Sequence, residues 1–541
     1  VSFNLADIFE TVAAAVPERT ALTCEGEHLT YETLNRKANQ VAHLFTDNGM
    51  RAGEHAALFL RNSVEHVLSI LGLIKIGCSP INVNYRYTAA ELLYIFENAD
   101  ATAILVEELD DQDRLAEIID DLPVLKTVFV VGEAVGNGLA TAASAAGVDV
   151  VLFDPEGHSA EQNFTPRSGD ALYLLYTGGT TGFPKGVMWR HDDFFHRPLS
   201  GGNPWGEARK SLEEIAAASQ QSAELSVLVV APLIHGSALY AMFSLFLQGG
   251  RVVLLRSFDA EKLVWTIGYE KVNVVTIVGD AMGSPLAEAM SKLQSDVDLS
   301  PLVAVTSGGA VWSQGVRARI LAVKPELALI DSFGASESGN DGQMTLRPDG
   351  SLAMSPSPSV SVLGDDLEPL APGSTTVGMI VRVGNLPLGY YKDKHKTDRT
   401  FRTLADGRRV AVLGDAGIVE SDGTIVFLGR GSQCINTGGE KVYVEEVEAC
   451  LHSHPAVTDA VVVGVPDPRL GQTVAAVVSL RPDFPPVGLP QLQEHCRQSL
   501  AGYKVPRRLA VVPTVQRSPA GKADYKWAES IFGESDVAVG T

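Results

Sequence analysis

Basic charge is what this sequence is short of. Its 541 residues carry 43 Lys and Arg against 65 Asp and Glu, a formal net charge of −22. A field of that sign repels nucleic acid and anionic membranes, so neither is an expected partner. An anionic small molecule would have to be held by local basic groups set against that field. Cysteine is scarce too: Cys24, Cys78, Cys434, Cys450 and Cys496 are scattered, odd in number and form no C-x-x-C pair. That argues against a disulfide framework and a cysteine zinc site, and suits a reducing compartment. Residues 1–10 show no basic segment ahead of an apolar one, so no signal peptide is visible, and no apolar run reaches bilayer length. The expected location is cytoplasmic, with no membrane span. Internal repeats are absent.

What remains is a globular chain, 45% hydrophobic and 20% charged, too long for one ordinary core. From residue 1 to about 165, amphipathic helices alternate with short apolar strands. Val64, Val67, Leu68, Leu71 and Ile74 recur at helical spacing behind Ser63, a plausible N-cap, and Thr88 with Glu91 has the spacing of a capping box. Residues 101–106 and 127–131 read as strands, and this alternation implies βαβ units with a largely parallel sheet. Further strands are expected at 225–230, 251–255, 272–278 and 302–306. A β-rich part is expected from about 355, including 378–383 and a hairpin over 409–429 that turns at Asp422-Gly423. Beyond Arg430 the pattern restarts with helix 445–452, strands 460–465 and 475–480, and a helix near 491–500. The expected organisation is therefore α/β: a large N-terminal domain (1–429) of parallel-sheet αβ layers plus a β-rich subdomain, a hinge at 430–433, a small mobile C-terminal α/β domain (434–530), and a disordered tail (531–541).

The most informative stretch is Leu175-Tyr176-Thr177-Gly178-Gly179-Thr180-Thr181-Gly182-Phe183-Pro184-Lys185-Gly186-Val187. Residues 171–176 read as a buried strand and the glycines and threonines after it as a tight loop. Small residues let backbone N–H groups close on an anion, and hydroxyls add donors. Lys185 supplies a point charge for phosphate oxygens. The pattern G-x-x-x-x-G-K-S/T is not met, because Phe183 and Pro184 stand before the lysine and Gly186 follows it.

Other strings sit where apolar runs end. Pro232-Leu233-Ile234-His235-Gly236 follows a strand, and a lone histidine there is more often packed than catalytic. Ser307-Gly308-Gly309-Ala310 closes another; paired glycines let backbone approach a flat ring, though they also make ordinary turns. In Asp331-Ser332-Phe333-Gly334-Ala335-Ser336-Glu337, Phe333 offers an apolar face to a ring, Ser336 a hydroxyl to phosphate, and Glu337 the hard oxygen that Mg²⁺ prefers. The run ending in Ser338 misses the hydrolase elbow, which needs glycine there, so a serine nucleophile is set aside.

Taken in order, these strings resemble the adenylate-forming (ANL) superfamily of acyl-CoA synthetases, firefly-type luciferases and peptide-synthetase adenylation domains. The likeness runs over residues 5–528. It is nearest to actinobacterial CoA ligases for fatty acids, steroid side chains and other bulky apolar acids, through residues 174–191 and the strings Arg430-Gly431-Ser432 and Gly438-Gly439-Glu440-Lys441-Val442-Tyr443. The resemblance implies ATP, Mg²⁺ and coenzyme A as cofactors and a bulky apolar carboxylic acid as substrate; a homodimer is left open. It implies that Thr177, Gly178, Gly179, Thr181, Gly182 and Lys185 cradle phosphates, that Thr180 and Glu337 hold the metal, and that His235 lines the acyl pocket. Gly308, Gly309, Ala310, Asp331, Ser332, Phe333, Gly334 and Ser336 would surround the adenylate. Asp415 would accept both ribose hydroxyls and Arg430 would reach ribose and phosphate. Gly438, Gly439 and Glu440 would belong to the thioester half-site with CoA, and Lys522, in Arg517-Ser518-Pro519-Ala520-Gly521-Lys522, would bridge the carboxylate and α-phosphate.

The chain departs from the family pattern at Gly178 (usually serine), Ser336 (threonine), Ser432 (a charged pivot) and Asn436 (often lysine). Asn436 argues against luciferase-like oxygenation, and the lack of an attached carrier domain against a peptide-synthetase module. Lys522, Glu337 and Asp415 argue against a non-catalytic nucleotide sensor. The remaining alternative is an enzyme weak in adenylation that mainly transfers acyl groups from a pre-formed adenylate to CoA.

Overall fold

The computed structural model describes residues 2–177, 184–204, 206–308, 312, 314–347, 351–430, 434–437, 440–467, 470–498, 500, 502–517 and 523–533. Among these residues three sheets organise the chain. The 8-stranded sheet is built from the βαβ units that the sequence pattern implies: His55–Phe59 pairs in parallel with Ser79–Asn82 and Ala101–Val106, and the latter with Thr127–Val130. Helix Val64–Lys75 links the first two strands. The Ser63 side chain caps it by accepting from His66 N at 3.1 Å, and Val64, Val67, Leu68, Leu71 and Ile74 are buried. Losing such a cap costs about 0.5–2 kcal/mol, and burying each aliphatic side chain contributes about 1.5–3 kcal/mol. At Ala89–Asn98 the capping box forms: Thr88 N donates to Glu91 Oε2 at 2.8 Å, and Glu91 N to Thr88 Oγ1 at 3.4 Å.

The 14-stranded sheet has a parallel half whose lateral order is Arg251–Leu254, Ser226–Val229, Val274–Ile277, Ala304–Gly308 and Ala328–Ala335. After Ala335 the chain turns back as Gly339–Leu346, antiparallel to the strand before it. The sheet then continues antiparallel through Leu352–Met354, Ile425–Arg430, Arg409–Val419, Gly378–Val383 and Val360–Leu363. The β-rich part is thus hydrogen-bonded to the parallel part, and it begins at Gly339 rather than near 355. Two glycines hide this hairpin in the sequence. Gly339 has φ +73°, and a side chain at Gly334 would collide with the Gly339 carbonyl, so the string reads as a loop while forming a tight β-turn.

The third sheet pairs Val457–Asp467 with Gly471–Leu480. Helices Val444–His452 and Leu489–Arg497 bury Val447, Leu451, Leu492 and Cys496 on one face. Helix Tyr525–Gly533 covers the other, with Ala528 buried and Ile531 and Phe532 packed against it. Residues 531–533, expected in the tail, therefore belong to that helix, because their apolar side chains have a sheet to cover. Residues 534–541 lie outside the described residues.

Candidate active site

The string around Lys185 is the closure of an antiparallel hairpin. Leu172–Thr177 pairs with Lys185–Arg190, and Thr177 stands opposite Lys185. Gly178, Gly179, Thr180, Thr181 and Gly182 lie between them, outside the described residues. Buried Asn82 fastens the first strand to the segment before His235: its Nδ2 donates to Tyr176 O at 2.8 Å and to Ile234 O at 2.5 Å, while its Oδ1 accepts from Tyr176 N at 2.7 Å. One asparagine thus fixes the spacing between the loop strand and helix Gly236–Leu247, which His235 precedes as N-cap.

That helix start meets the ends of two strands of the large sheet. A Cβ on Gly236 would stand 3.0 Å from Leu175 Cδ2 and 3.4 Å from Ser336 Oγ. Among the described residues, one on Gly308 would meet the Cβ atoms of Ser237 and Ser332, both at 3.8 Å. Ser307 Oγ accepts from Gly279 N at 3.0 Å, which draws the start of helix Gly279–Leu293 to the same place. Gly309 and Ala310 lie outside the described residues. His235, Gly308, Ser332 and Ser336 are therefore brought together at the carboxyl ends of parallel strands, where open α/β sheets place ligands.

The turn carrying Ser336 and Glu337 is held from the other sheet. Trp189 Nε1 donates to Ser336 O at 2.9 Å, and Tyr240 OH donates to the same oxygen at 3.4 Å. Tyr390 OH donates to Glu337 Oε1 at 2.9 Å. Tyr390 lies in Gly389–Tyr390, which pairs with Lys185–Arg190 at the outer edge of the 8-stranded sheet. The Lys185 ammonium sits 6.0 Å from the Tyr390 ring centroid and forms an ion pair with Asp393. Burial, followed by the charge of Glu337, pushes the Tyr390 phenol well above its ordinary range, so it stays a donor. The hydrogen bond from Lys185 holds the Asp393 carboxyl below its usual range. The result is a chain, Glu337–Tyr390–Lys185–Asp393, that joins the candidate metal carboxylate to the candidate phosphate lysine. A phosphate reaching Lys185 has to share it with Asp393.

Other residues from the sequence reading have more local partners. Asp331 is ion-paired with Arg317, whose guanidinium lies 4.6 Å from the Trp312 ring centroid; burial raises the Asp331 carboxyl and Arg317 opposes that shift. Arg382 pairs with Asp415 (Nη1 to Oδ2, 2.5 Å) and lies over the Phe333 ring, 5.0 Å from its centroid. One face of Phe333 is therefore covered by a guanidinium rather than open to an adenine. Arg430 stands opposite Asp415 in strand register. The Arg430 and Glu440 side chains, Gly438, Gly439 and Lys522 lie outside what is described. Ser336 lies in an antiparallel hairpin and not a strand-to-helix elbow, in keeping with the rejection of a serine nucleophile.

Sequence reasoning missed Asn82, Tyr240, Arg382, Tyr390 and Asp393, none of which belongs to a recognisable short string at its own position. A cleft of ≈ 740 Å³ lined by Asp7, Glu10, Asn35 and Arg167 holds none of the motif residues.

The AMP-binding enzyme family matches residues 9–391, and the AMP-binding enzyme C-terminal domain matches residues 446–522. The chain belongs to the AMP-binding enzyme family. Among its relatives, the medium/long-chain fatty acid–CoA and 3-oxocholest-4-en-26-oate–CoA ligase of Mycobacterium tuberculosis is 44% identical over 98% of this chain and 96% of the relative. The 3-oxocholest-4-en-26-oate–CoA ligase of Rhodococcus rhodochrous is 42% identical over 98% of this chain and 96% of the relative. The fold is shared with the anthranilate CoA ligase AuaEII solved with anthranoyl-AMP: TM-score 0.80, 23% identity, 98% of each chain covered. No helix among the described residues is long and apolar enough to cross a membrane.

Among the described residues no group of three or more His, Cys, Asp or Glu is set to hold a metal ion. Glu337 offers a carboxylate, one oxygen of which is fixed by Tyr390. That arrangement fits Mg²⁺, which takes one or two carboxylates and completes its shell from substrate phosphates and water.

Proposed function

We propose that this AMP-binding enzyme is an acid–CoA ligase acting on a bulky apolar carboxylic acid. In the first step a carboxylate oxygen attacks the α-phosphorus of ATP, giving an acyl-adenylate and pyrophosphate. In the second the CoA thiol attacks the acyl carbon, loses its proton and expels AMP, giving acyl-CoA. Adenylation is needed because a carboxylate is a poor electrophile and AMP a good leaving group. The observation that carries the reading is the chain from Glu337 through Tyr390 to Lys185, which sets a hard oxygen and a cation within reach of one another around a single tyrosine. Mg²⁺ bound there would offset phosphate charge. Glu337 would hold it with Thr180, Lys185 would meet phosphate oxygens, and Asp415 would accept ribose hydroxyls.

A bulky acid is supported by the small residues at the strand ends, since among the described residues Gly308 faces Ser237 and Ser332, and by the acids that the two relatives are named for. We place His235, Gly308 and the segment 280–282 in the acyl wall. The C-terminal unit, joined at 430–433, would turn between the steps, because Lys522 and the 438–440 loop cannot serve one face together. Incubation with ATP, Mg²⁺, CoA and a panel of acids, with AMP and acyl-CoA quantified together, tests this. Equimolar AMP and acyl-CoA from C8 or longer and ring-bearing acids is expected; turnover of acetate and propionate alone would overturn the substrate class.

A further inference from the structure

Asp393 is fixed by its own neighbours and lends its charge to Lys185. Its backbone N–H donates to Tyr390 O at 3.3 Å. Its Oδ1 caps helix Lys394–Thr400 by accepting from Lys396 N at 2.9 Å, and its carbonyl accepts from Thr397 N at 3.0 Å and from Thr397 Oγ1 at 2.8 Å. The same threonine hydroxyl accepts from Tyr390 N at 2.9 Å. The turn 390–393 is thus stapled to the start of the helix. From it Tyr390 OH reaches Glu337, while Asp393 Oδ2 accepts a hydrogen bond from Lys185 Nζ. Lys185 itself stands opposite Thr177, where the phosphate-loop strand pair closes.

The two partners differ in freedom. A carboxylate with one oxygen committed to a helix start cannot follow its partner, whereas a lysine ammonium rides on a flexible four-carbon stem. Phosphate oxygens arriving at Lys185 therefore make the lysine turn or divide its three N–H donors. Both side chains are about one-third exposed, so water screens the pair and Lys185 leaves it at modest cost. Asp393 stays behind and faces the phosphate with like charge. It opposes phosphate twice, by occupying the cation and then by repulsion.

We propose that Asp393 is a built-in counterion that competes with nucleotide phosphates for Lys185 and holds their affinity down, so that the site gives up pyrophosphate after adenylation. This rests on the reading of Lys185 as the phosphate lysine. Asp393 is then a positioning residue that acts through Lys185, and removing its charge should tighten rather than weaken the hold on polyphosphates.

The test is equilibrium binding to the full chain, at one fixed excess of Mg²⁺, of α,β-methylene-ATP, pyrophosphate and adenosine, with thermal melts alongside. Asp393→Asn and Asp393→Ser both keep a side chain that caps the helix and remove the charge. Each should bind the ATP analogue and pyrophosphate about three- to ten-fold more tightly than the wild type, the scale of one screened ion pair plus one like-charge contact. Adenosine carries no phosphate, and its affinity should stay within about two-fold. In a Lys185→Met background the gain from Asp393→Asn should shrink to about two-fold or less, because the competition runs through the lysine. Unchanged or weaker binding of the ATP analogue in a folded Asp393 variant overturns the proposal. So does equal tightening of adenosine, or the full gain persisting without Lys185. Failure of both Asp393 variants to fold also overturns it, by making the helix cap the whole role of Asp393. Wild-type affinity for the ATP analogue and pyrophosphate in Lys185→Met alone overturns the phosphate reading of Lys185 instead, and is distinguishable because Asp393 is intact in that variant.

Discussion

Tyr390 donates its phenolic hydrogen to Glu337 at 2.9 Å across the gap between two sheets. The donor comes from a two-residue edge strand paired with the Lys185 strand, and the acceptor from the hairpin turn of the large sheet. The hydrogen bond therefore reports how well the two sheets are registered here. It also leaves one Glu337 oxygen pointing in a fixed direction.

Tyr390→Phe should slow adenylation by about ten-fold while raising the Mg²⁺ concentration needed for half-maximal rate. The variant keeps the ring under Lys185 and removes only the donor, so a carboxylate that loses one charge-assisted hydrogen bond holds a cation less well oriented. Pyrophosphate release measured against Mg²⁺ checks this. An unaltered curve would mean that Glu337 is placed by the turn alone.

Asp415→Ala should weaken nucleotide binding in both half-reactions, by about 1.5–3 kcal/mol, the range for hydrogen bonds to a charged partner. The loss also leaves Arg382 with one carboxylate in place of two, in a buried site. Calorimetry with AMP and with a non-reactive acyl-adenylate analogue checks it. Unchanged affinity for both would put the ribose elsewhere.

What the sequence made legible here was local. The Ser63 cap, the Thr88–Glu91 box and the Asp422-Gly423 turn each depend on residues within a few positions, and each forms. So did the strands at 101–106 and 378–383, whose period and composition are their own. What stayed hidden was contact between distant segments. Nothing near Tyr390 announces that it will meet Glu337, 53 positions earlier, and nothing near Arg382 announces Asp415 on the adjacent strand or Asp341 three strands further along the sheet. Buried charge of this kind is readable only once the pairing of strands is known. The site strings gave the chemistry of the ligand, while the side chains that hold those strings in place came from the fold.

Stability should fall as the pH drops below the ordinary histidine range. Burial lowers His66 to about 4 and His191 to about 3, from 6.5. His66 donates through Nδ1–H to the Arg61 carbonyl at 3.0 Å, and His191 Nε2 has no hydrogen-bond partner among the described residues. Both rings stay neutral in the fold while the unfolded chain binds protons below 6.5. The unfolded state then holds more protons, so stability rises with pH across this window and is lost on acidification, about 1.4 kcal/mol per pH unit for each ring. Both act between 6.5 and about 4, and His191 alone below that. Urea midpoints at pH 7, 6 and 5 should shift less in the double variant His66→Gln/His191→Gln than in the wild type; parallel slopes would rule the two rings out.

Lys522→Ala should cripple adenylation yet spare thioester formation from supplied acyl-adenylate. Lys522 lies outside the described residues, but its neighbours are anchored. Arg517 grips Asp459 with Nε at 2.8 Å and Nη2 at 2.5 Å, and Arg517 and Ala523 form an antiparallel bridge on either side of the segment. On the proposed reading, Lys522 would reach the reacting phosphate in one orientation of the C-terminal unit and be withdrawn in the other. Neutralising charge at a crowded phosphorus centre matters only in the first step. The departures from the family pattern bear on the same step, since Gly178 lacks a hydroxyl, Ser336 keeps one in place of threonine, and Ser432 replaces a charged pivot. A lost phosphate hydrogen bond costs about 0.5–1.5 kcal/mol, which slows adenylation without abolishing it. Pyrophosphate release from acid and ATP, measured beside CoA consumption from synthetic acyl-adenylate, separates the steps in wild type and variant. The full ligase predicts both activities in the wild type and only the second in Lys522→Ala. Rapid CoA consumption with no pyrophosphate release from any acid, in the wild type itself, would instead make this an enzyme that thioesterifies an adenylate formed elsewhere.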